Sequence, residues 1–517
     1  MVRADRWVPA AAALLAGLAQ AVSIASPWSG QPLWWLQLAS LGMLSAMLLR
    51  APSARAAAIL GWVFGLAWLA GTFWWLFISM HSYGGLAAPL AAGAVLLLAG
   101  FLGSYYALAC GLFAALRGRA RFAGAVLFAS LWLGAELMRV SWFTGFPWGE
   151  GGYAHVDGPL AALAPYVGVH GIGFVAALLA YALAVPFAVR VDGAGRPWGA
   201  VAGALLSLAA CAWLVPPPAA SAPAGPRLSV ALLQGNIPQD EKFQGGSGIP
   251  QALGWYGQQL LDAPASLVVA PETAIPLLPQ QLPDGYLQAL QERFARGDRA
   301  ALIGIPLGNL SEGYTNSVIG LQPQASPYRY DKHHLVPFGE FIPPLFRWFT
   351  EAMNIPLGDF NRGAVGQPSF TWQGQRLAPN ICYEDLFGEE LGARFVDPTQ
   401  APTMFVNVSN IGWFGNTVAI DQHLHISRMR SLEFDRAMIR ATNTGATVVI
   451  DRRARVTHAL PRHTRGVLLG EAEGASSLTF YAWWVSRLGL WPLWLLALSA
   501  PAICLLRGRR TPPTAHA

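Results

Sequence analysis

The chain is 517 residues long with 34 basic and 28 acidic residues, so 12% of it is charged, against about 25% in an ordinary soluble domain. Hydrophobic residues make up 54%, and there are 21 tryptophans. That profile excludes a disordered protein, a collagen-like fibre and a small disulfide scaffold, and it is foreign to a plain soluble enzyme.

Charge placement says more than its total. Residues 1–215 hold ten Arg and five Asp/Glu, residues 216–478 hold 20 basic and 23 acidic, and residues 479–517 hold four Arg and no acid. The formal +6 is therefore +9 on two apolar flanks and −3 in the middle. Most of the arginines sit at the ends of apolar runs, so the basicity reads as membrane-flanking charge and not as a nucleic-acid surface.

A helical span takes about 20 mostly apolar residues, because backbone in lipid must satisfy its own hydrogen bonds. In chain order such runs fall near 7–25, 32–49, 57–80, 87–116, 122–140, 160–189 and 197–215, with an eighth near 479–506. The fourth and sixth are long, which predicts tilt or a break at Gly171 and Gly173. Arg3 and Arg6 precede the first run, Arg50 and Arg55 follow the second, and Arg117, Arg119 and Arg121 follow the fourth. Arg190 and Arg196 follow the sixth, and Arg507, Arg509 and Arg510 the eighth. Every second connection is positive, which predicts a cytoplasmic N-terminus and a middle domain outside. Reading the first run as a cleaved signal peptide ending at Ala19-Gln20-Ala21 leaves the middle domain on the same side. Glu136 is the one central acid within the runs, and Arg139 one turn later makes a structural i,i+3 partner. The loop Ser141–Gly152 carries Trp142, Phe146, Pro147 and Trp148, aromatics suited to the headgroup region, either over a lipid access point or as a plain belt.

After the Pro/Ala-rich linker Pro216–Pro226, strand-like and helical stretches alternate. Leu228–Gln234, Ser266–Ala270, Ala300–Ile305, Thr315–Leu321, Met404–Val408 and Thr447–Asp451 read as strands, and Pro283–Arg296 and about Ile420 to Thr442 as helices. That pattern predicts an α/β domain of about 250 residues with a sheet covered on at least one face. Of four cysteines, Cys110, Cys211 and Cys504 fall in apolar runs, where Cys is a small filler. Cys382, in Asn380-Ile381-Cys382-Tyr383-Glu384, is alone in a domain expected outside, where it has no partner for an internal disulfide; it is a nucleophile or an inert buried thiol. The chain has 32 Arg and only two Lys, Lys242 and Lys332, and a retained Lys fits a need for a compact, movable ammonium. Glu272, just after an apolar strand, is a candidate base with a raised pKa; taken singly, any of these residues also reads as a member of a surface salt bridge.

The order Glu272, Lys332, Cys382 resembles the triad of the nitrilase superfamily. Three local strings carry the match: Pro271-Glu272-Thr273, Asp331-Lys332-His333-His334-Leu335-Val336-Pro337-Phe338-Gly339-Glu340 and Asn380-Ile381-Cys382-Tyr383-Glu384. Gly235-Asn236-Ile237-Pro238-Gln239, Asn407-Val408-Ser409-Asn410 with Trp413-Phe414-Gly415, and Phe146-Pro147-Trp148 extend it. With seven runs before and one after, the whole chain resembles the apolipoprotein N-acyltransferases. The resemblance implies membrane α-helices plus an α/β domain: a nitrilase-like αββα sandwich on an eight-helix transmembrane body. Its parts would be residues 1–217 with seven helices, an extracytoplasmic catalytic domain at 226–475, and an eighth helix at 479–507. It implies a bacterial inner membrane, a periplasmic catalytic domain and no cofactor. Cys382 would take the sn-1 acyl chain of a phospholipid, typically phosphatidylethanolamine, as a thioester and pass it to the amine of a diacylglyceryl-cysteine on a lipoprotein. Glu272 would be the base and Lys332 the oxyanion partner, with Glu340, Tyr383 and Glu384 in support. The apolar stretch Phe341–Leu357 would be a lid or arm.

Two rivals remain on the sequence. A membrane-anchored amidase needs the same triad but not eight spans. A transporter or lipid-binding protein with an inactive sensor domain does not need an intact Glu/Lys/Cys set. No metal site is expected, since His423 and His425, two apart, would diverge on a helix.

Overall fold

The computed structural model describes residues 8–120, 123–188, 198–214, 224–343 and 360–508. It divides into two compact units. One comprises Met1–Trp74, Ala92–Pro217 and Leu488–Ala517; the other comprises Trp75–Ala91 and Pro218–Arg487.

The first unit is helical: α1 (Val8–Ile24), α2 (Trp34–Arg50), α3 (Ala54–Phe73), most of α4 (Ala88–Ala120), α5 (Gly124–Ser141), α6 (Ala164–Ala188) and α7 (Trp198–Leu214), joined late in the chain by α12 (Trp491–Gly508). Among the described residues, four helices are long and apolar enough to cross a membrane: Ala54–Phe73, Ala88–Gly118, Gly124–Thr144 and Pro159–Ala188. Val8–Ile24 and Trp198–Trp213 are apolar but shorter. The run near 479–506 is not one straight span. It is a pair of helices, α11 (Phe480–Leu488) and the Trp491–Arg507 stretch of α12, bent by 86°. Gly489 between them has φ +54°, a conformation that ends a helix and that glycine adopts without strain. Among the described residues, length and apolarity alone thus support four spans, or five if the bent pair is one. The expected break in the sixth run falls at Gly168 (φ +67°, ψ −179°), ahead of Gly171 and Gly173.

Inside this unit Glu136 and Arg139 do not pair directly. The Tyr106 hydroxyl stands between them, 3.1 Å from Glu136 Oε1 and 2.9 Å from Arg139 Nη1. Its Nη2 donates to the carbonyls of Trp148 (2.6 Å) and Phe146 (3.3 Å), and the guanidinium lies 5.2 Å over the Trp68 ring. The loop after α5 is therefore clasped from within: Trp148 is buried and Phe146 packs on Phe73, while Trp142 and Phe143 are the exposed aromatics.

The second unit holds two six-stranded sheets. One runs β12-β1-β2-β3-β4-β5, from β1 (Leu228–Gln234), β2 (Leu267–Ala270), β3 (Ala300–Asn309), β4 (Gly313–Leu321), β5 (Tyr328–Asp331) and β12 (Gly466–Ala472). The other runs β11-β10-β9-β8-β7-β6, from β6 (Phe370–Trp372), β7 (Gln375–Ile381), β8 (Met404–Ser409), β9 (Ala437–Thr442), β10 (Val448–Ile450) and β11 (Val456–Ala459). Central pairs β1/β2, β2/β3, β7/β8 and β8/β9 are parallel. Such strands are buried on both faces, which is why they read as unbroken apolar runs. Strand alternation sorts them into two cores. Leu228, Val230 and Leu232 pack with Met404, Val406 and Val408 between the sheets. Ala231 and Leu233 face α8 (Gly248–Asp262) and α9 (Tyr286–Ala295) through Tyr256, Leu260 and Phe294. On the far sheet, α10 (Ala419–Phe434) covers β8, with the Phe434 and Phe405 rings 5.4 Å apart.

The helix expected to reach Thr442 stops at Phe434. Asp435 caps it with φ +52°, and the chain re-enters the sheet as β9. The segment Trp75–Ala91 belongs to this unit: Trp75 Nε1 donates to Gln422 Oε1 (3.0 Å) and its ring lies 4.2 Å from Phe414, while Tyr83 meets Trp413. Of the stretch expected to form a lid, 344–357 lies outside the described residues, as do 215–223 of the linker.

Candidate active site

Three strand ends deliver the three expected residues. Glu272 follows β2, Lys332 follows β5 and Cys382 follows β7. At β2 the chain turns so tightly that a Cβ on Gly304 of β3 would stand 2.2 Å from the Pro271 carbonyl oxygen, so only glycine lets the Glu272 turn approach β3.

Lys332 is fully buried between two carboxylates, with Nζ 2.9 Å from Glu340 Oε1 and 3.4 Å from Glu272 Oε1. Asn316 on β4 binds the same pair, its Nδ2 2.7 Å from Glu272 and 2.8 Å from Glu340. The Asn410 N–H donates to Glu272 Oε2 (2.8 Å) and the Val336 N–H to Glu340 Oε2 (2.8 Å). Burial alone would raise the Glu272 pKa, but the Lys332 ammonium, with Asn316, Lys242 and Asn410, outweighs it and holds the carboxyl below its ordinary value. The raised pKa expected from sequence is thus reversed, because the cation that reverses it is 60 residues away in sequence. Glu272 rests ionised, ready to accept a proton. Burial pulls the Lys332 ammonium down, yet Glu340 and Glu272 push it well above its ordinary range, so it stays charged.

Cys382 opens a 3-10 turn with φ +53°, left-handed backbone that costs a non-glycine residue on the order of 1–2 kcal/mol. It remains partly accessible. Its surroundings still push the thiol up to about 12, through desolvation first and then the Glu272 charge, with Lys332 opposing. At neutral pH the group is a thiol beside an ionised base, an arrangement for general-base-assisted attack on a carbonyl carbon.

Glu384 joins two of these strand ends. Its carboxylate accepts from the Ile381 N–H (2.6 Å), the His333 N–H (2.6 Å) and the Tyr330 hydroxyl (2.7 Å). Those backbone groups adjoin Cys382 and Lys332, so one side chain sets the spacing of thiol and ammonium. Glu340 is brought into the cluster as expected. Tyr383 packs its ring on His334 and Phe387, at 5.6 and 5.3 Å.

Sequence reasoning gave no role to Asn316, a polar residue inside β4, or to Asn410, which follows β8 within one of the matching strings. Lys242 is the other surprise. It is buried with Nζ 3.1 Å from the Glu272 carbonyl oxygen, and burial, opposed by Glu272, lowers it to about 7. Among the described residues no group of three or more His, Cys, Asp or Glu is placed to hold a metal ion. A cleft of about 350 Å³ lined by Arg227, Asp451, Arg452, Arg453, Glu471 and Glu473 shares no residue with the cluster.

Comparison with known proteins yields two family matches: "Apolipoprotein N-acyltransferase N-terminal domain" over residues 12–182 and "Carbon-nitrogen hydrolase" over residues 229–475. The apolipoprotein N-acyltransferase of Verminephrobacter eiseniae is 63% identical over 502 residues, 92% of each chain. That of Ralstonia nicotianae is 47% identical, over 86% of this chain and 85% of that one. A solved carbon-nitrogen hydrolase superfamily protein from Xanthomonas campestris is 19% identical with a TM-score of 0.37, covering 51% of this chain and 96% of that one.

Proposed function

Because the chain belongs to the apolipoprotein N-acyltransferase family, we propose that it carries an acyl group from a membrane phospholipid to the N-terminal amine of lipoproteins as a thioester on Cys382. The observation that carries this reading is the burial of Lys332 between Glu272 and Glu340 at the strand ends that also present Cys382.

In the first half-reaction Glu272 takes the thiol proton as sulfur attacks the sn-1 ester carbonyl of a phospholipid, phosphatidylethanolamine by family resemblance. The carbonyl oxygen becomes an oxyanion. An ammonium has three N–H donors; Lys332 spends two on Glu340 and Glu272, and the third serves that oxyanion. Collapse expels the lysophospholipid alkoxide, which takes the proton back from Glu272 and leaves the thioester. In the second, the free amine of a diacylglyceryl-cysteine attacks the thioester, Glu272 accepts the amine proton and returns it to the departing thiolate, and an amide forms. A thioester is reactive enough for a neutral amine, whereas the original ester is a poor acylating agent for one.

The same reading sets residues 1–217 and 479–507 as the membrane domain with eight crossings, counting Val8–Ile24, Trp34–Arg50, Trp198–Leu214 and the bent pair as spans beside the four long helices. It puts the N-terminus in the cytoplasm and residues 226–475 in the periplasm of a bacterial inner membrane. The alternation of arginine-bearing connections supports it.

The deciding experiment is the intact mass of the purified protein after incubation with phospholipid alone. A fatty-acyl adduct that Cys382→Ala lacks and that a diacylglyceryl peptide discharges is the expected result. Free fatty acid without an adduct would indicate hydrolysis and overturn the reading.

A further inference from the structure

A second buried polar cluster abuts Cys382 and has no part in the steps above. Asp385, His423, Ser427 and Arg440 are all fully buried, and they come from the turn after β7, from α10 and from β9. His423 Nε2 lies 2.9 Å from Asp385 Oδ1 and 3.1 Å from the carbonyl oxygen of Cys382. Arg440 Nη2 lies 2.7 Å from His423 Nδ1, and Arg440 Nη1 reaches Asp385 Oδ2 (3.4 Å) and the Ser427 hydroxyl. Ser427 Oγ donates to Asp385 Oδ2 at 2.5 Å.

The chemistry of the donors fixes the imidazole tautomer. A guanidinium has no acceptor, so the His423 nitrogen facing it, Nδ1, presents a lone pair. The ring hydrogen is then on Nε2, shared between the Asp385 carboxylate and the Cys382 carbonyl. Burial and Arg440 both lower the His423 pKa, Asp385 opposing, which keeps the ring neutral and the tautomer single.

What that hydrogen bond holds is the strained residue. The Cys382 carbonyl also accepts from Asn407 Nδ2 at 3.4 Å, and a left-handed non-glycine residue persists only where its surroundings over-determine it. In a planar trans peptide the carbonyl and the next N–H point in opposite directions, so fixing the Cys382 carbonyl also fixes the Tyr383 N–H. We propose that His423, set by Arg440 and Asp385, is a positioning residue that locks the Cys382–Tyr383 peptide plane and so aligns the Tyr383 N–H as a donor to the oxyanion that forms during acyl transfer. This rests on Cys382 being the acyl-carrying nucleophile.

The test is single-turnover acylation of the full-length protein in mixed phospholipid micelles, read by intact mass, for His423→Gln, His423→Asn and His423→Leu. Gln places its amide where Nε2 was and retains the donor to Cys382; Asn places it at the Nδ1 position and loses that donor. The expected outcome is a fall of about 10–100-fold in the acylation rate for Asn and Leu, with the phospholipid KM unchanged, and a loss under about fivefold for Gln. Alkylation of Cys382 by iodoacetamide, which needs no oxyanion donor, should change less than about threefold in all three variants. If the Leu variant fails to fold, the Gln–Asn pair decides. Equal rates for Gln and Asn, or an Asn variant within about threefold of wild type, would overturn the proposal. A wild-type protein that forms no adduct would instead bring down the acyl-carrier reading and this inference with it.

Discussion

Each unit buries a cation among acceptors, and the two do it differently. In the helical unit Arg139 is such a cation, and its two terminal nitrogens donate to the Tyr106 hydroxyl and to the Phe146 and Trp148 carbonyls, so it braces a loop. Of the cations buried in the sheet unit, Lys332 touches two carboxylates through a single atom and has a third N–H beyond those two. A planar fork holds geometry, while a rotatable ammonium can share its charge with a group that appears during a reaction. In a chain with 32 Arg, the proposed function puts Lys332 where charge has to be redistributed, while Arg139 stands where a shape has to be kept.

The sharpest test of that division starts with the nucleophile. Cys382→Ala should abolish the acyl adduct and reduce lipoprotein acylation by at least about 10⁴-fold, read by mass spectrometry, with the protein still folded. Lys332→Arg comes next: although charge is conserved, a fork does not fit the pocket between Glu272 and Glu340, and acylation should fall about 10³-fold. A Lys332→Arg variant within tenfold of wild type would break the comparison. Glu272→Gln should slow both half-reactions by about 10²–10³-fold, since each transfers a proton to this residue. Because Glu272 is held below its ordinary carboxyl value of 4.5, the base stays charged as pH falls past that value, and the acid limb of single-turnover acylation should lie below it. The sign is the same for stability: a depressed carboxyl contributes above the unfolded pKa, and the contribution is lost as pH falls through the lower folded one. Smallest is Arg139→Lys, which should leave acylation within about threefold while lowering the thermal midpoint by several degrees, because backbone acceptors lose their donors. Equal losses of activity from Arg139→Lys and Lys332→Arg would show that the two cations do the same job.

Much of this was legible in the chain. Glu272, Lys332 and Cys382 each stand in a short string after an apolar strand, and the structure brings the first two, with Glu340, into one cluster beside the third. What sequence could not show is what depends on three-dimensional neighbours. Glu272 beside an apolar strand reads as a raised carboxyl until Lys332 is set beside it. Asn316 looks like any polar residue in a strand, yet its amide links the two acids because β4 lies between β3 and β5. The helix expected to run to Thr442 overreached because the residues past Phe434 remain good helix formers; only the backbone at Asp435 breaks it. The course of the last apolar run was hidden for a related reason. Composition is blind to bends, and a glycine at position 489 turns one apolar run through 86°.

The membership of Trp75–Ala91 in the sheet unit has a consequence for the timing of biosynthesis. Trp75 leaves the ribosome 347 residues before Gln422, the acceptor of its indole hydrogen bond. At about 5–20 residues per second, that gap amounts to roughly 20–70 s of translation. Throughout it, an aromatic segment made early waits for a partner made late, and the sheet unit stays incomplete until nearly the whole chain has been synthesised. Expressed alone, residues 218–487 would lack this segment, so the unit is best produced from the entire chain.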